Sequence, residues 1–232
     1  MNLVITMAGK YTRFRDEGYK LPKYLLPWGD RSILSEIIGS LQPLSKNWNV
    51  FLVANREDEP FMGHVRKIMD AHSIPRKNLL LVGDTSGQAE TALKAVQHFY
   101  ITGPVLFHNA DTILYGRNIP AIEASLAKLV HGFIDVFKSN NHAYSYVVAK
   151  NGLVSMISEK VLVSDLATSG LYGFGETMDF LDYYRQGQIY ISEIYKAMIA
   201  DGKDICIGKA YDEKETIVLG TPQDYLKHSA GL

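Results

Sequence analysis

Basic side chains are concentrated in one short segment near the start of the chain, where they could neutralise a phosphorylated ligand. The five between positions 8 and 24 are Lys10, Arg13, Arg15, Lys20 and Lys23. Only two acidic residues accompany these five, so the segment is basic on a chain whose net charge is −1. Ala8 and Gly9 are small enough for backbone N–H groups to approach phosphate oxygens. The segment therefore indicates a phosphate site, with a solvated basic loop as the alternative.

Motifs that would indicate other chemistry are missing from the sequence. A Rossmann Gly-x-Gly-x-x-Gly is absent, because the residue two positions after Gly9 is Tyr11. There is also no Walker Gly-x-x-x-x-Gly-Lys-Ser/Thr, no nucleophile elbow and no His-Glu-x-x-His. A nicotinamide-dependent dehydrogenase and a P-loop kinase are therefore disfavoured, and no covalent nucleophile is indicated.

The elements that must position the basic segment alternate between strands and helices in the front of the chain. Short apolar runs predict strands at 3–7, 50–54, 79–82 and 105–107. Apolar residues at helical spacing predict helices at 33–41, with Ser32 as N-cap, at 59–72 and at 88–100. This rhythm predicts a Rossmann-like, doubly wound α/β fold with a mainly parallel sheet. The basic segment then lies at the carboxyl end of the first strand, where such sheets bind ligands.

The back of the chain predicts a mixed arrangement. Residues 143–149 and 153–157 flank an Asn151-Gly152 turn and predict a β-hairpin. Further strands are expected at 171–174, 205–207 and 216–219, and helices at 180–184, 194–199 and 222–228. No repeat or linker interrupts the chain, so we expect one domain, 1–232, with both parts sharing one sheet. The aromatic residues Tyr183, Tyr184 and Tyr190 favour helix packing over a ligand pocket.

Composition and charge restrict the classes of partner. Of the 232 residues, 47% are hydrophobic and 21% are charged, which is typical of a globular protein. The near-neutral net charge argues against a nucleic-acid partner. No apolar stretch is long enough for a membrane span, and the apolar N-terminal run is too short for a signal sequence. The single cysteine, Cys206, excludes an intramolecular disulfide. We therefore expect a cytoplasmic protein without a membrane partner; homo-oligomerisation stays open.

Six segments resemble, in order along the chain, motifs of the nucleotidyltransferases that make sugar nucleotides and related compounds. The first contains Met7-Ala8-Gly9, Arg13-Phe14, Gly18-Tyr19 and Pro22-Lys23. The others are residues 87–91, 108–112, 152–160, 169–174 and 216–224. The resemblance implies the nucleotide-diphospho-sugar transferase fold, with a nucleotide-binding half at 1–115 and an acceptor-binding half at 116–232.

This resemblance also implies roles for individual residues. The expected nucleotide-binding residues are Ala8, Gly9, Lys10, Tyr11, Gln88 and Asn109. Arg13 is expected to grip the β- and γ-phosphates, and Lys23 to stabilise charge at the α-phosphate. Lys160, Gly170 and Tyr172 are expected to meet the acceptor.

Two carboxylates are implied as ligands of Mg²⁺. Asp111 ends the fourth strand, and Glu215 precedes the closing segment, with Asp212 and Glu213 as rivals for that second position. Two residues depart from the family pattern: Glu215 stands where Asp is usual, and Tyr11 where Gly is usual. A side chain at position 11 would narrow the triphosphate loop or stack on a ligand.

The implied function is Mg²⁺-dependent transfer of a nucleotidyl group from a nucleoside triphosphate to a phosphorylated small-molecule acceptor, with release of pyrophosphate. The resemblance is greatest to bacterial proteins of capsule or surface-polysaccharide synthesis, and it favours pyrimidine triphosphates. One alternative is a glycosyltransferase on the same fold, although Asn109-Ala110-Asp111 stands where Asp-x-Asp is usual. The other alternative is a non-catalytic nucleotide-binding module.

Overall fold

A nine-stranded mixed sheet runs through the computed structural model, which describes residues 1–41, 48–127 and 130–230. In chain order the strands are β1 (Asn2–Met7), β2 (Pro27–Trp28), β3 (Arg31–Ser32), β4 (Asn49–Asn55), β5 (Leu79–Val82), β6 (Val105–Asn109), β7 (Thr112–Leu114), β8 (Gly132–Lys138), β9 (Ser145–Lys150), β10 (Leu153–Glu159), β11 (Leu166–Phe174), β12 (Ile205–Ile207) and β13 (Thr216–Val218). The order of strands in the large sheet is β5-β4-β1-β6-β11-β8-β12-β10-β9.

Helices connect these strands. They are α1 (Thr12–Asp16), α2 (Ile33–Ser40), α3 (Met62–Ala71), α4 (Gln88–Phe99), α5 (Ile119–Leu126), α6 (Thr177–Tyr183), α7 (Ile191–Ala200) and α8 (Pro222–Ser229). Short 3₁₀ turns lie at Lys23–Leu25, Arg56–Phe61 and Arg76–Asn78. In the described part of the chain, no helix is long and apolar enough to cross a membrane.

The front of the sheet is parallel, as the sequence predicts. β1 pairs in parallel with β4 on one side and β6 on the other, and β4 pairs in parallel with β5. All six residues of β1 are buried, which is why the sequence shows a continuous apolar run rather than alternation. The carboxyl ends of these four strands therefore meet at one edge of the sheet.

Successive residues of β1 enter two different cores, so helices cover both faces of the sheet. Leu3 and Ile5 pack with side chains of α2 and α3, whereas Val4 packs with side chains of α4 and α7. Successive side chains of a strand point to opposite faces. The packing confirms the predicted doubly wound architecture. Ser32 caps α2 by accepting a hydrogen bond from the backbone N–H of Ser35 at 3.2 Å, as predicted.

The back of the chain joins the same sheet and makes it mixed. β11 lies antiparallel to both β6 and β8, while β12 runs parallel to β8. The predicted hairpin is present as β9 and β10, and its turn residues Asn151 and Gly152 both have positive φ, 52° and 79°. These values are the ones that a tight Asn-Gly hairpin turn requires.

A central strand, β8, has no counterpart in the sequence prediction. Its first six residues are all buried, and the acidic Asp135 in its middle interrupts the apolar run. Arg117 pairs with Asp135 at 2.9 Å, and both side chains are almost completely buried. Asp135 is therefore compatible with a core strand only because of a partner 18 positions away.

A separate antiparallel pair, β7 and β13, brings the end of the chain back to the front of the fold. Val218 lies opposite Thr112, and Thr216 lies opposite Leu114. The backbone N–H of Leu219 donates to the carbonyl of Asp111 at 2.7 Å. The closing segment is thereby fixed beside the carboxyl end of β6.

Candidate active site

A cavity of about 450 Å³ opens at the carboxyl ends of the parallel strands. Loops after β1, β5 and β6 form its walls, together with the start of α4 and the segment before α7. Eight of the residues predicted from the sequence line it, namely Ala8, Gly9, Lys10, Tyr11, Lys23, Gln88, Asn109 and Asp111. A cavity of this size is typical of small-molecule sites.

One end of the cavity is formed by an ion pair between Lys23 and Asp111. The Lys23 Nζ lies 2.5 Å from Asp111 Oδ2, and only about a fifth of each side chain is exposed, 20% and 23%. Lys23 begins the 3₁₀ turn after Pro22, and Asp111 lies in the short connection between β6 and β7. Although burial acts to raise it, the Lys23 ammonium holds the pKa of Asp111 below its usual value.

A second lysine–carboxylate pair lies on another wall of the cavity. The Lys10 Nζ lies 2.5 Å from Asp84 Oδ2, and both side chains are about half exposed. The hydrogen bond from Lys10 lowers the pKa of Asp84. Asn55, at the end of β4, donates to Asp84 at 3.2 Å and to the carbonyl of Ala8 at 3.3 Å. The basic segment at residues 8–24, called the basic loop below, is thus attached to the ends of two neighbouring strands, β4 and β5.

Tyr11 adopts the backbone conformation that the family's glycine would favour. Its φ and ψ angles are 37° and 44°, in the left-handed region. Its hydroxyl donates to the buried carboxylate of Asp58, which also accepts a hydrogen bond from the Tyr24 hydroxyl at 2.9 Å. Arg15 donates to the Tyr11 hydroxyl at 3.3 Å and lies over the ring. Position 11 therefore keeps a backbone conformation that glycine adopts readily. The Tyr11 hydroxyl is bound by Asp58 and Arg15.

Gln88 and Asn109 each carry a buried polar atom that could bind a ligand. Gln88 Nε2 and Asn109 Oδ1 have no hydrogen-bond partner among the residues that the structure describes. Buried polar groups are normally paired. Gln88 is the first residue of α4. The start of this helix is held in place by a hydrogen bond from the Ala89 N–H to the Ile189 carbonyl at 3.1 Å. Both side chains line the cavity wall, and in this structure the two unpaired atoms are covered from solvent.

Lys160 and Arg13 lie outside the cavity lining but near one of its walls. Lys160 donates to the Tyr190 hydroxyl at 3.0 Å, and Tyr190 lines the cavity. This hydrogen bond raises the pKa of Lys160, whereas the charge of Arg13 acts to lower it. Lys160 therefore lies beside the cavity wall at Tyr190. The expectation that Tyr190 serves helix packing is wrong, because its side chain reaches the cavity.

The structure places Gly170 and Tyr172 away from the cavity, which corrects their expected contact with an acceptor. Gly170 has φ +87°, and a Cβ there would lie 2.3 Å from Asn109 Nδ2. Gly170 thus makes room for the Asn109 amide. Tyr172 is a buried core residue whose hydroxyl lies 2.9 Å from Thr168 Oγ1. Gly170 therefore supports the site from behind, whereas Tyr172 belongs to the core.

Glu215 is not brought to Asp111, so its expected role as the second metal ligand is corrected. The register of β7 and β13 puts Leu219 opposite Asp111. Glu215 lies four residues before Leu219, which corresponds to about 13 Å along an extended strand. Its carboxylate instead accepts from the Asp212 backbone N–H at 3.1 Å and lies 3.5 Å from Lys209 Nζ.

The rival carboxylates are not better placed on this strand pair. Asp212 and Glu213 precede β13, both are exposed, and Glu213 accepts a hydrogen bond from Ser139 at 2.9 Å. The residues closest in register to Asp111 are the apolar Val218 and Leu219. Across the described ranges, no group of three or more His, Cys, Asp or Glu side chains could hold a metal ion.

Three functional side chains were not found from the sequence: Asn55, Asp58 and Asp84. Asn55 and Asp58 lie at and after the end of β4, which pairs with β1, and Asp84 follows β5, which pairs with β4. Each contacts the basic loop or the residue beside Lys23. Their positions after predicted strands were the only available signal, because polar residues at the carboxyl ends of parallel strands face the ligand edge.

The fold is shared with solved nucleotidyltransferases. The nucleoside-diphosphate-sugar pyrophosphorylase from Vibrio cholerae RC9 superposes with a TM-score of 0.85 over 98% of this chain and 99% of that one, at 23% sequence identity. The inositol-1-phosphate CTP transferase from T. maritima superposes with a TM-score of 0.72 over 96% and 90%, at 10% identity. The predicted nucleotide-diphospho-sugar transferase fold is confirmed.

A curated relative agrees with this class. The bifunctional protein GlmU of Methanococcus aeolicus is 26% identical over 206 residues, covering 87% of this chain and 47% of that protein. The chain thus spans about half the length of this relative. No protein-family model matches the sequence. The resemblance to sugar-nucleotide nucleotidyltransferases is confirmed by these neighbours.

Proposed function

We propose that the protein is a nucleotidyltransferase that moves a nucleoside monophosphate from a nucleoside triphosphate to a phosphorylated small-molecule acceptor and releases pyrophosphate. The observation that carries this proposal is the convergence of Lys10, Lys23 and Gln88 on one cavity at the carboxyl edge of the sheet. The cations suit a triphosphate, and the amide suits the edge of a base. The resemblance to known nucleotidyltransferases supports the same assignment.

The phosphate end of the reaction is assigned to the two lysines. In the structure each lysine is paired with a carboxylate, Asp84 or Asp111, and each pair is accessible from the cavity. Phosphate oxygens can replace these carboxylates as partners of the ammonium groups. Lys23 would then stabilise the negative charge that develops around the α-phosphorus as the acceptor oxygen attacks and pyrophosphate leaves.

The residues present fit a magnesium ion that is held largely by the substrate. Mg²⁺ usually takes one or two carboxylates together with phosphates, and of the two expected ligands, Asp111 and Glu215, it is Asp111 that lines the cavity. When bound, the ion would supply further positive charge to the triphosphate. Asp111 is prepared for this role, because Lys23 keeps its pKa low and its carboxylate ionised.

The base and the acceptor are assigned to neighbouring parts of the cavity wall, since the start of α4 is hydrogen-bonded to Ile189, the residue before Tyr190. Gln88 Nε2 can donate to a base acceptor, and its amide can select against a base with the wrong pattern. Lys160, which donates to Tyr190 at the cavity wall, suits the phosphate of an acceptor, whereas the resemblance assigns Arg13 to the β- and γ-phosphates of the triphosphate. A pyrimidine base and a role in surface-polysaccharide synthesis are favoured by resemblance alone.

The test is a panel of five nucleoside triphosphates (ATP, GTP, CTP, UTP and dTTP), each with Mg²⁺ and a set of sugar 1-phosphates and phosphorylated alcohols. Pyrophosphate release that needs both substrates supports the proposal. Turnover of a ready-made nucleotide sugar without pyrophosphate would instead identify a glycosyltransferase. Binding of a triphosphate, seen as a thermal shift, with no turnover for any acceptor would identify a non-catalytic module.

A further inference from the structure

The buried carboxylate of Asp58 connects two parts of the basic loop, one at Tyr11 and the other at Tyr24. Asp58 lies in the 3₁₀ turn Arg56–Phe61 after β4, and it is only 1% exposed. One of its oxygens accepts from the Tyr11 hydroxyl, and the other accepts from the Tyr24 hydroxyl at 2.9 Å. Tyr11 follows Lys10 directly, and Tyr24 follows Lys23 directly. Each of the two cavity lysines is thus next in sequence to a tyrosine that binds the Asp58 carboxylate.

The backbone conformation at Tyr11 is one that such an anchor stabilises. A side-chain-bearing residue in the left-handed region is disfavoured by about 1–2 kcal/mol, and surrounding contacts can offset this cost. Tyr11 has φ 37°, and its carbonyl accepts the first hydrogen bonds of α1, from Phe14 at 2.9 Å and Arg15 at 3.2 Å. Glycine would adopt this conformation freely. A tyrosine can do so here because its hydroxyl is held by Asp58 and its ring lies under Arg15.

The anchor itself is firmly placed. The 3₁₀ turn that carries Asp58 is capped by Asn55, whose side chain accepts from the Glu57 backbone N–H at 2.9 Å. Asn55 also donates to the carbonyl of Ala8 at 3.3 Å. The end of β4 therefore holds the basic loop through two independent contacts, one before and one after Lys10.

We propose that Asp58 is a positioning residue, which sets the distance between Lys10 and Lys23 by anchoring Tyr11 and Tyr24 to one rigid point. The role of this pair in catalysis rests on the proposed function, whereas the anchoring of the loop does not. Without the Tyr11 contact, the part of the loop that carries Lys10 would lose its fixed place. Without the Tyr24 contact, Lys23 would lose its alignment. The Tyr11–Asp58–Tyr24 contact is called the tyrosine latch below.

The first test measures the loop in the ligand-free protein by amide hydrogen exchange. Tyr11→Phe removes the hydroxyl and keeps the ring, and we expect exchange in residues 9–24 to accelerate at least about tenfold, the effect of losing one hydrogen bond to a charged group. Tyr183→Phe is the matched control, because Tyr183 also donates to an aspartate, Asp201, at 3.0 Å but lies on α6. Unchanged exchange in Tyr11→Phe would overturn the proposal.

The second test measures kcat and the KM for the triphosphate. If the tyrosines had only a structural role, the two variants would not affect these constants separately. We expect Tyr11→Phe to raise the KM for the triphosphate about tenfold with little change in kcat, because Lys10 contributes binding. Tyr24→Phe should lower kcat about tenfold with little change in KM, because Lys23 acts at the α-phosphate. Equal effects of the two variants on both constants would contradict separate positioning of the two lysines.

A double variant completes the design. If the latch acts through one carboxylate, Tyr11→Phe should cost little more in an Asp58→Asn protein than Asp58→Asn costs alone, because contacting residues are not additive. Should Asp58→Asn fail to fold, the two tyrosine variants still decide the question. If wild type shows no turnover with any triphosphate, the proposed function fails while the exchange result still tests the latch.

Discussion

The Lys23–Asp111 pair allows a catalytic role to be separated from a structural one. We consider Lys23→Met, which keeps most of the side-chain volume and removes the charge. The ammonium lies 2.5 Å from Asp111 Oδ2, and neither side chain is more than a quarter exposed. Loss of one preorganised charged donor costs about 3–4 kcal/mol in the transition state, so kcat/KM should fall about 100- to 1000-fold.

The same substitution should also destabilise the protein. Asp111 would lose its charged partner in a site that is largely buried, and this should lower the free energy of unfolding by about 1–3 kcal/mol. Adding Asp111→Asn removes the unpaired charge, so the double variant Lys23→Met/Asp111→Asn should recover much of that stability. It should not recover activity, because both groups that serve the phosphates would be absent.

The assay combines steady-state pyrophosphate release with urea unfolding at pH 7 for wild type, both variants and a control. Lys94→Met is the control, because Lys94 also pairs with a carboxylate, Glu90 at 3.2 Å, on the exposed side of α4. It should lose neither activity nor more than about 0.5 kcal/mol of stability. A folded Lys23→Met protein with turnover within about twofold of wild type would refute the assignment of Lys23.

Three further predictions concern the walls of the cavity and its support. Gln88→Ala should weaken discrimination among the triphosphates by about 1–3 kcal/mol, measured by competing them in pairs; equal discrimination in wild type and variant would restrict Gln88 to a helix-start role. Gly170→Ala should destabilise the protein by about 2 kcal/mol and lower activity, because its Cβ would lie 2.3 Å from the Asn109 amide; a fully active, equally stable variant would contradict this support. Burial lowers the pKa of His108 to about 4. Between about pH 6.5 and pH 4, the unfolded chain therefore binds a proton at this histidine, whereas the folded protein does not. Stability should therefore fall as the pH falls from 7 to 5, by about 2 kcal/mol from this group, and urea unfolding of His108→Gln should show a correspondingly smaller fall.

Much of the fold could be predicted because local patterns agree with the final structure. The parallel strands are short apolar runs, the first long helix has a serine cap, and the hairpin has an Asn-Gly turn. β8 could not be predicted, since Asp135 within it is compatible with burial only through Arg117, a partner that no local pattern identifies. The periodicity of the sequence does not indicate long-range ion pairs of this kind.

The site was predictable to the extent that it follows the strand ends. Lys10, Lys23 and Asp111 come together because each follows a strand or turn at the same edge of the sheet. Glu215 was misplaced because its position depends on the register of β13 against β7, which sequence spacing does not determine. The sequence shows Tyr11 as a departure from glycine, but its contact with Asp58, 47 residues away, follows only from the folded structure.

Transfer of a nucleotidyl group from a triphosphate to a phosphorylated acceptor can be followed directly with an isotopic label. The most direct measurement uses the triphosphate labelled at its α-phosphorus, incubated with Mg²⁺, the protein and the acceptor that gives turnover. We expect the label to appear in a product containing the acceptor and unlabelled pyrophosphate to be released in equal amount. Lys23→Met should suppress both about 100-fold or more. Label that stays in free nucleotide, or that reaches the acceptor equally well with Lys23→Met, would contradict this expectation.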